Sequence, residues 1–469
     1  MVSTGAPGRL RAGPAPSDGA GRRLAVGVLA ALFVAQAVLA LGAFVPVLAG
    51  SRAATVDHVS LAVAAELTAR DPASLYDLDA QRAAQDALDP AGPDRPFANP
   101  PFVATAARLV EAAGIDAGYL ALVALDLLAI GLLAVLVWRQ GRTLAVPTRL
   151  AITTGTLAAF PVASVMAEGG VSGIAATGIA LVLWGEHRRR PWPIAFGLVM
   201  AATKPHLLSA ALVVLVVRRR RTALTRAVLI GTAVALPSLA SPGLGAWLAY
   251  PAVFTGIAGH DSPAVAHSDH WWNVASLLHH LLGQNGSPTA VLLTWAVLAA
   301  GLAVIAATTR ADGGTAAVTA ALVLGLLISP HTNPADALWL PLAFVLMRTD
   351  EVWQRRPPAV RSALTGLAVT WPAASLAAFT WSTAGGSIVA VAMMTAFAVL
   401  GTAGTGRQAP SAGQADAVLD GSTPDGEPAD RQSEAATAPR PDGSDTDPGA
   451  VPDGRVAAVV AVTRTGGTR

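Results

Sequence analysis

Eleven apolar stretches, at residues 24–49, 119–138, 150–167, 171–184, 192–217, 227–244, 288–307, 314–329, 337–347, 362–381 and 387–404, alternate with loops that carry Arg or Asp. Crossing a hydrocarbon core about 30 Å thick takes roughly 20 residues of α-helix. A spanning segment that is not part of a closed barrel must be helical, because lipid offers no partner for backbone N–H and C=O groups. Only 13% of the 469 residues are charged and 53% are hydrophobic, whereas a soluble domain carries roughly a quarter charged residues. The pattern therefore predicts one all-α polytopic membrane domain over residues 21–404.

Arginines set the orientation. Arg22 and Arg23 precede the first apolar stretch, and ten acids fall within residues 50–117. The positive-inside rule places the N-terminus in the cytoplasm and this loop outside. Gly21-Arg22-Arg23 also admits a cleaved signal peptide, against which the length of the run counts. Further arginine clusters follow at Arg139, Arg142 and Arg149, at Arg188–Arg190, and at Arg218–Arg221.

The stretch 192–217 has arginines at both ends, so a single crossing would put one cluster on the wrong face. A re-entrant pair of half-helices turning at Lys204-Pro205 keeps both inside. Proline removes a backbone donor and disfavours helix at the residue before it, so a break is expected there on local grounds too. Irregular backbone at membrane depth is tolerated where it is buried in protein or lines a cavity. The expected count is about ten crossings plus this hairpin, with external loops at about 50–117 and 245–287.

Residues 1–20 and 405–469 are rich in Gly, Pro, Ala, Asp, Ser and Thr. Such segments bury too little apolar surface to offset ordering entropy, and both are expected to be disordered on the cytoplasmic side. There are no cysteines, which excludes disulfides, thiol nucleophiles and iron–sulfur ligation. No P-loop, dinucleotide fingerprint or Gly-x-Ser-x-Gly elbow is present, no cofactor is indicated, and no nucleic-acid partner is expected.

Asp57 opens the first external loop just before a helical stretch at 58–70. A carboxylate there can act as a general base on a hydroxyl at the membrane surface; it can equally cap the helix. Lys204 is the only lysine, against 31 arginines. One ammonium at the tip of a broken intramembrane hairpin suits a phosphate, although a snorkelling side chain or a pair with Asp126 would also account for it. In the second external loop, His260, His267, His270, His279 and His280 lack the helical spacing of a metal site, and none is assigned. Trp271 and Trp272 fit interfacial anchoring or sugar stacking. His331, in Ser329-Pro330-His331, can orient a phosphate or a sugar hydroxyl, while a capped turn with Asn333 and Asp336 explains the same residues.

In order along residues 24–404, these pieces resemble the actinobacterial polyprenyl-phosphate-mannose-dependent mannosyltransferases of glycosyltransferase family 87, membrane enzymes of the GT-C type. The resemblance rests on Asp57 in the first external loop, Ala62–Ala65, Leu75-Tyr76-Asp77, and the segment Phe97-Ala98-Asn99-Pro100-Pro101-Phe102. It continues through Lys204-Pro205, Asn273-Val274-Ala275-Ser276 and Ser329-Pro330-His331. Two departures stand out: Gly169-Gly170-Val171 lacks the glutamine usual before the fourth helix, and Asn99 replaces the aromatic residue before Pro100.

The resemblance implies an inverting hexosyltransferase of GT-C-like fold working on the outer face of the cell membrane, with a polyprenyl-phosphate sugar as donor and a glycolipid or glycan as acceptor. It further implies Asp57 as base, with donor phosphate and sugar contacts at Lys204, His331, Tyr76, Asn99, Asn273 and Trp272. Arabinofuranose is an alternative to mannose. The rival from another class is a transporter or flippase, since a broken helix with an intramembrane lysine is also a transport signature; two long external loops and the lack of matching halves count against it.

Overall fold

The computed structural model describes residues 56–90, 95–259, 288–309, 314–329, 332–350, 355–380 and 383–402, together with isolated positions elsewhere. The first apolar stretch, most of the second external loop and both termini lie outside the described residues. Every regular element among the described residues is helical.

The segment expected as the first external loop is a folded unit of three helices: α1 Val56–Arg70, α2 Leu78–Leu88 and α3 Pro101–Glu111. Helix α1 packs on both α2 and α3. It buries Leu61, Val63, Ala64 and Ala65, and the small alanines let its neighbours approach closely. Tyr76, Phe97, Val103 and Val171 complete this small core, with Ala246 and Val253 from a later helix.

A larger core is built from most of the remaining helices, the helix Leu244–Gly259 packing on the small one instead. Helix α4 Ile115–Gln140 is followed by α5 Val146–Leu157 and α6 Phe160–Glu168, then α7 Ser172–Arg188. Helices α8 Pro191–Ala201 and α9 Pro205–Val217 come next, then α10 Arg221–Ser238 and α11 Leu244–Gly259. The series ends with α12 Pro288–Thr308, α13 Thr315–Ile328, α14 Leu340–Arg348, α15 Pro358–Thr380 and α16 Thr383–Thr402.

The segment 192–217 breaks at Lys204, whose backbone leaves the helical region with φ −126° and ψ 89°. Both ends of the α8–α9 pair return to one place. Glu186, near the end of α7, lies 2.8 Å from Arg218 Nε and 2.7 Å from Arg220 Nε. The cluster at Arg188–Arg190 and the cluster at Arg218–Arg221 are therefore on the same side of the bundle, and the chain between them turns back at Lys204-Pro205. Helix α8 is clamped to α7 by a pair of glycines. A Cβ at Gly197 would stand 2.5 Å from the Gly178 oxygen, and one at Gly178 would stand 2.6 Å from the Ala201 nitrogen. With no side chain at either position, backbone meets backbone, as small residues allow between membrane helices.

Three helical stretches are long and apolar enough to cross a membrane: Ile115–Thr143, Val146–Glu168 and Arg221–Val253. The last has only 11% of its apolar window buried; an apolar helix with so little packed on it calls for an apolar solvent. The described residues thus show fewer full spans than the ten expected. Residues 24–49 are outside them, and other stretches are short. At about 1.5 Å per residue, the nine residues of α14 reach less than half of a hydrocarbon core.

The structure also corrects the boundary at 244. The chain does not enter a loop there, because Ser241, with φ −162° and ψ 109°, kinks the helix without ending it. The apolar run then continues as α11 to Gly259.

Candidate functional site

The site lies on the seam between the two cores, where the start of α1 meets the turn joining α6 to α7. Gly169 ends α6 with φ +63°, a left-handed conformation that glycine adopts without a steric penalty. A side chain there would strike the Tyr119 ring at 2.6 Å. Gly170 follows, and a Cβ on it would stand 2.9 Å from Asp57 Oδ2 and 3.2 Å from Asp57 Cβ. The turn Glu168-Gly169-Gly170 is in effect a platform without side chains on which Asp57 rests.

Three elements hold the start of α1 in this position. His58 Nε2 lies 2.8 Å from Glu111 Oε1 at the end of α3. Its ring meets Tyr119 edge-on at 5.4 Å, and the Tyr119 hydroxyl donates to the carbonyl of Met166 in α6. Asp57 keeps 27% of its side chain exposed and, among the described residues, makes no hydrogen bond to the backbone of its own helix. Asp77 shows what a capping aspartate does here. Its Oδ1 accepts from the Asp79 and Ala80 N–H groups at 2.9 and 3.1 Å.

Lys204, at the tip of the α8–α9 pair, meets the 3-10 turn Pro334–Ala337, which packs on α6. Its Nζ lies 3.0 Å from Asp336 Oδ1, both side chains being buried, and His206 Nε2 approaches Asp336 Oδ2 to 3.6 Å. Asp336 belongs to the 3-10 turn Pro334–Ala337, where its other oxygen accepts from the Asn333 N–H at 2.9 Å. Burial disfavours the charged form of Asp336, but the Lys204 ammonium and His206 outweigh it and hold the carboxyl below the usual range. The pair with Asp126, the alternative the sequence left open for Lys204, does not form among the described residues. Asp126 Oδ1 instead accepts from the Ile174 N–H at 2.8 Å, capping α7 from a neighbouring helix in place of Val171, which has no polar side chain.

Asp57 and Glu168 also act electrostatically on Lys204. Among the described residues, Asp336 is the carboxylate in contact with the Lys204 ammonium. Among the described residues no three His, Asp or Glu side chains take up a metal-holding arrangement.

Beside Asp57, α2 pins the segment 95–99 like a short strand. Gln81 Nε2 donates to the Leu75 carbonyl at 2.7 Å and Gln81 Oε1 accepts from the Phe97 N–H at 2.6 Å. One turn later Gln85 Oε1 accepts from the Arg95 N–H at 2.8 Å, and Gln85 Nε2 donates to the Arg95 carbonyl. The Tyr76 hydroxyl donates to the Asn99 carbonyl at 2.7 Å. Burial, aided by Tyr250, raises its pKa and keeps it a neutral donor. Tyr76 and the backbone of Asn99 are therefore already engaged with each other. The result is to present Arg95, whose Nη1 stands 3.9 Å from Asp57 Oδ1.

Of the residues singled out in the sequence, Asp57 rests on the turn at 168–170, Lys204 is tied to the turn Pro334–Ala337, and Tyr76 bonds the backbone of Asn99. Trp272, Asn273 and His331 lie outside the described residues. Sequence reasoning missed Arg95 and the tie between Lys204 and Asp336. An arginine standing in an acid-rich loop was the only signal for the first, and the Lys204–Asp336 contact joins positions 132 residues apart.

No curated protein and no solved structure matches the chain. The family model described as glycosyltransferase family 87 matches residues 97–330, a stretch that runs from Phe97 beside the site through Glu168, Gly170 and Lys204. With membrane-length apolar helices around a carboxylate-rich turn of this kind, the chain belongs to glycosyltransferase family 87 and is a membrane glycosyltransferase.

Proposed function

We propose that the chain moves a mannosyl or related residue from a polyprenyl-phosphate sugar to a glycolipid or glycan of the cell envelope, on the outer face and with inversion. The acceptor oxygen attacks the anomeric carbon while the bond from that carbon to the phosphate oxygen breaks. The bonding electron pair leaves with the phosphate, and Asp57 takes the acceptor's proton. Lys204, paired with Asp336 at 3.0 Å, fixes the hairpin tip against the turn Pro334–Ala337. His331 is kept as a candidate for the phosphate. Because the donor arrives activated on its lipid, no nucleotide takes part.

One observation carries this reading: Asp57 is a half-open carboxylate, not engaged in capping, set on a glycine platform where the external helices meet the apolar bundle. A base must reach water and substrate while keeping a fixed direction, and Asp57 meets both needs.

The experiment is Asp57→Asn, assayed for sugar transfer from labelled polyprenyl-phosphate-mannose. Asn preserves shape and polarity but cannot take the proton, so transfer should fall about 10²- to 10⁴-fold in protein that still folds. A folded Asp57→Asn protein that transfers sugar at a near-normal rate would falsify the assignment.

A further inference from the structure

We infer that Arg95 binds the phosphate of the lipid-linked donor. The inference rests on the donor class of the proposed function and changes which cation does the binding. Lys204, the obvious choice from the sequence, is buried and already neutralised by Asp336 at 3.0 Å. A phosphate would have to compete with that carboxylate inside a closed pair.

Arg95 is in the opposite condition. Its side chain is 34% exposed, and the carboxylate within ion-pair distance of it among the described residues is Asp57 at 3.9 Å, beyond hydrogen-bond length. None of its side-chain donors hydrogen-bonds to a described residue, and Nε is closed off from solvent with no partner. A guanidinium has five N–H donors in a fixed fork that matches phosphate oxygens two at a time, and a donor shut away from water without an acceptor is costly.

The backbone beneath this fork is fixed, which a mere surface arginine would not need. Gln85 grips both the N–H and the carbonyl of Arg95, and Gln81 repeats the grip at Phe97. A phosphate held there would stand next to Asp57. The leaving group would then gain its negative charge beside a fixed cation while the carboxylate receives the acceptor's proton. Stabilisation of charge that develops only in the transition state raises the rate of the chemical step.

The test measures binding of polyprenyl phosphate, and of the uncharged polyprenol as control, to the full chain in lipid nanodiscs. Wild type and the variants Arg95→Ala, Arg95→Gln and Arg95→Lys are compared. Charge-assisted hydrogen bonds contribute about 1.5–3 kcal/mol, so Arg95→Ala should weaken polyprenyl phosphate binding about tenfold to a hundredfold and leave polyprenol binding unchanged. Arg95→Lys should recover part of the loss. Should Arg95→Ala fail to fold, Arg95→Gln, which keeps the polar stem, carries the same expectation. Unaltered phosphate binding in either neutral variant overturns the inference. A wild type that binds polyprenol as tightly as polyprenyl phosphate overturns the donor class itself, and the role of Arg95 with it.

Discussion

Gly170→Ala is a perturbation whose effect can be worked out from the structure. The backbone at Gly170 is not left-handed, so alanine meets no conformational penalty there. Its methyl group would stand 2.9 Å from Asp57 Oδ2, 3.2 Å from Asp57 Cβ and 3.5 Å from Asp57 Cγ. The oxygen can swing, but the contact with Cβ pushes the residue as a whole. Relief to ordinary van der Waals distance requires about half an ångström of movement in the carboxylate. Misplacing a catalytic group by about 1 Å costs on the order of 10²-fold, so transfer should fall roughly tenfold. Overpacking costs about 1–3 kcal/mol where the surroundings cannot give, and here the 27% exposure of Asp57 leaves room to give. The expected result is folded protein with a lowered rate.

The assay is sugar transfer by Gly170→Ala, by Asp57→Asn and by the double variant. If Gly170 acts by seating Asp57, the two changes will not add, as expected for residues in contact. Full activity in Gly170→Ala, or an equal further loss when it is added to Asp57→Asn, would refute the reasoning.

Two further variants test the frame that presents the site. Lys204→Met takes the ammonium from buried Asp336 and leaves it only His206 and the Asn333 N–H, so thermal unfolding should show a loss of about 3–5 kcal/mol, and Lys204→Met combined with Asp336→Leu should regain much of it; equal stability of the two would show that the pair is not what holds the turn. Gly197→Ala drives a methyl into the Gly178 oxygen at 2.5 Å and the Val182 nitrogen at 2.8 Å. Backbone atoms cannot step aside as side chains do, so monodisperse protein should fall sharply on gel filtration, and normal yield would contradict the close packing of α7 on α8.

The sequence showed clearly what is local. Arginines at both ends of 192–217 and the Lys204-Pro205 break were enough to place a turn-back there, and in the structure Glu186 meets both flanks of it. The helix after Asp57 was legible for the same reason. The kink at 239–243 was not, because Pro242 and Gly243 read equally well as the end of a helix. Its continuation to Gly259 depends on packing against α12 and α3. The inner ion pair was only half legible. Lys204 stood out as the one lysine, but Asp126, an acid in the middle of a span, was the natural partner in one dimension. In three dimensions Asp126 faces the unsatisfied N–H groups at the start of α7, and Lys204 is left to Asp336.

The two ion pairs near this turn differ in a way that bears on their roles. Lys204 and Asp336 are 3.0 Å apart with side-chain exposures of 8% and 0%, whereas Arg95 and Asp57 are 3.9 Å apart with exposures of 34% and 27%. Exposed pairs contribute about 0–1 kcal/mol to stability, while breaking a buried pair costs about 3–5 kcal/mol. The inner pair therefore locks the hairpin tip to the turn at 334–337, and little of the folding energy depends on the outer one. Yet the outer pair has the more elaborate support. A glycine platform sits under Asp57, an imidazole–carboxylate contact holds the next residue, and glutamine side chains bond the backbone of Arg95 at both polar groups. Support of that kind fixes direction without satisfying the charged groups it presents. A carboxylate and a guanidinium held side by side but not joined are free to meet a hydroxyl and a phosphate. Their joint removal, Arg95→Ala with Asp57→Asn, should leave thermal stability within about 1 kcal/mol of wild type.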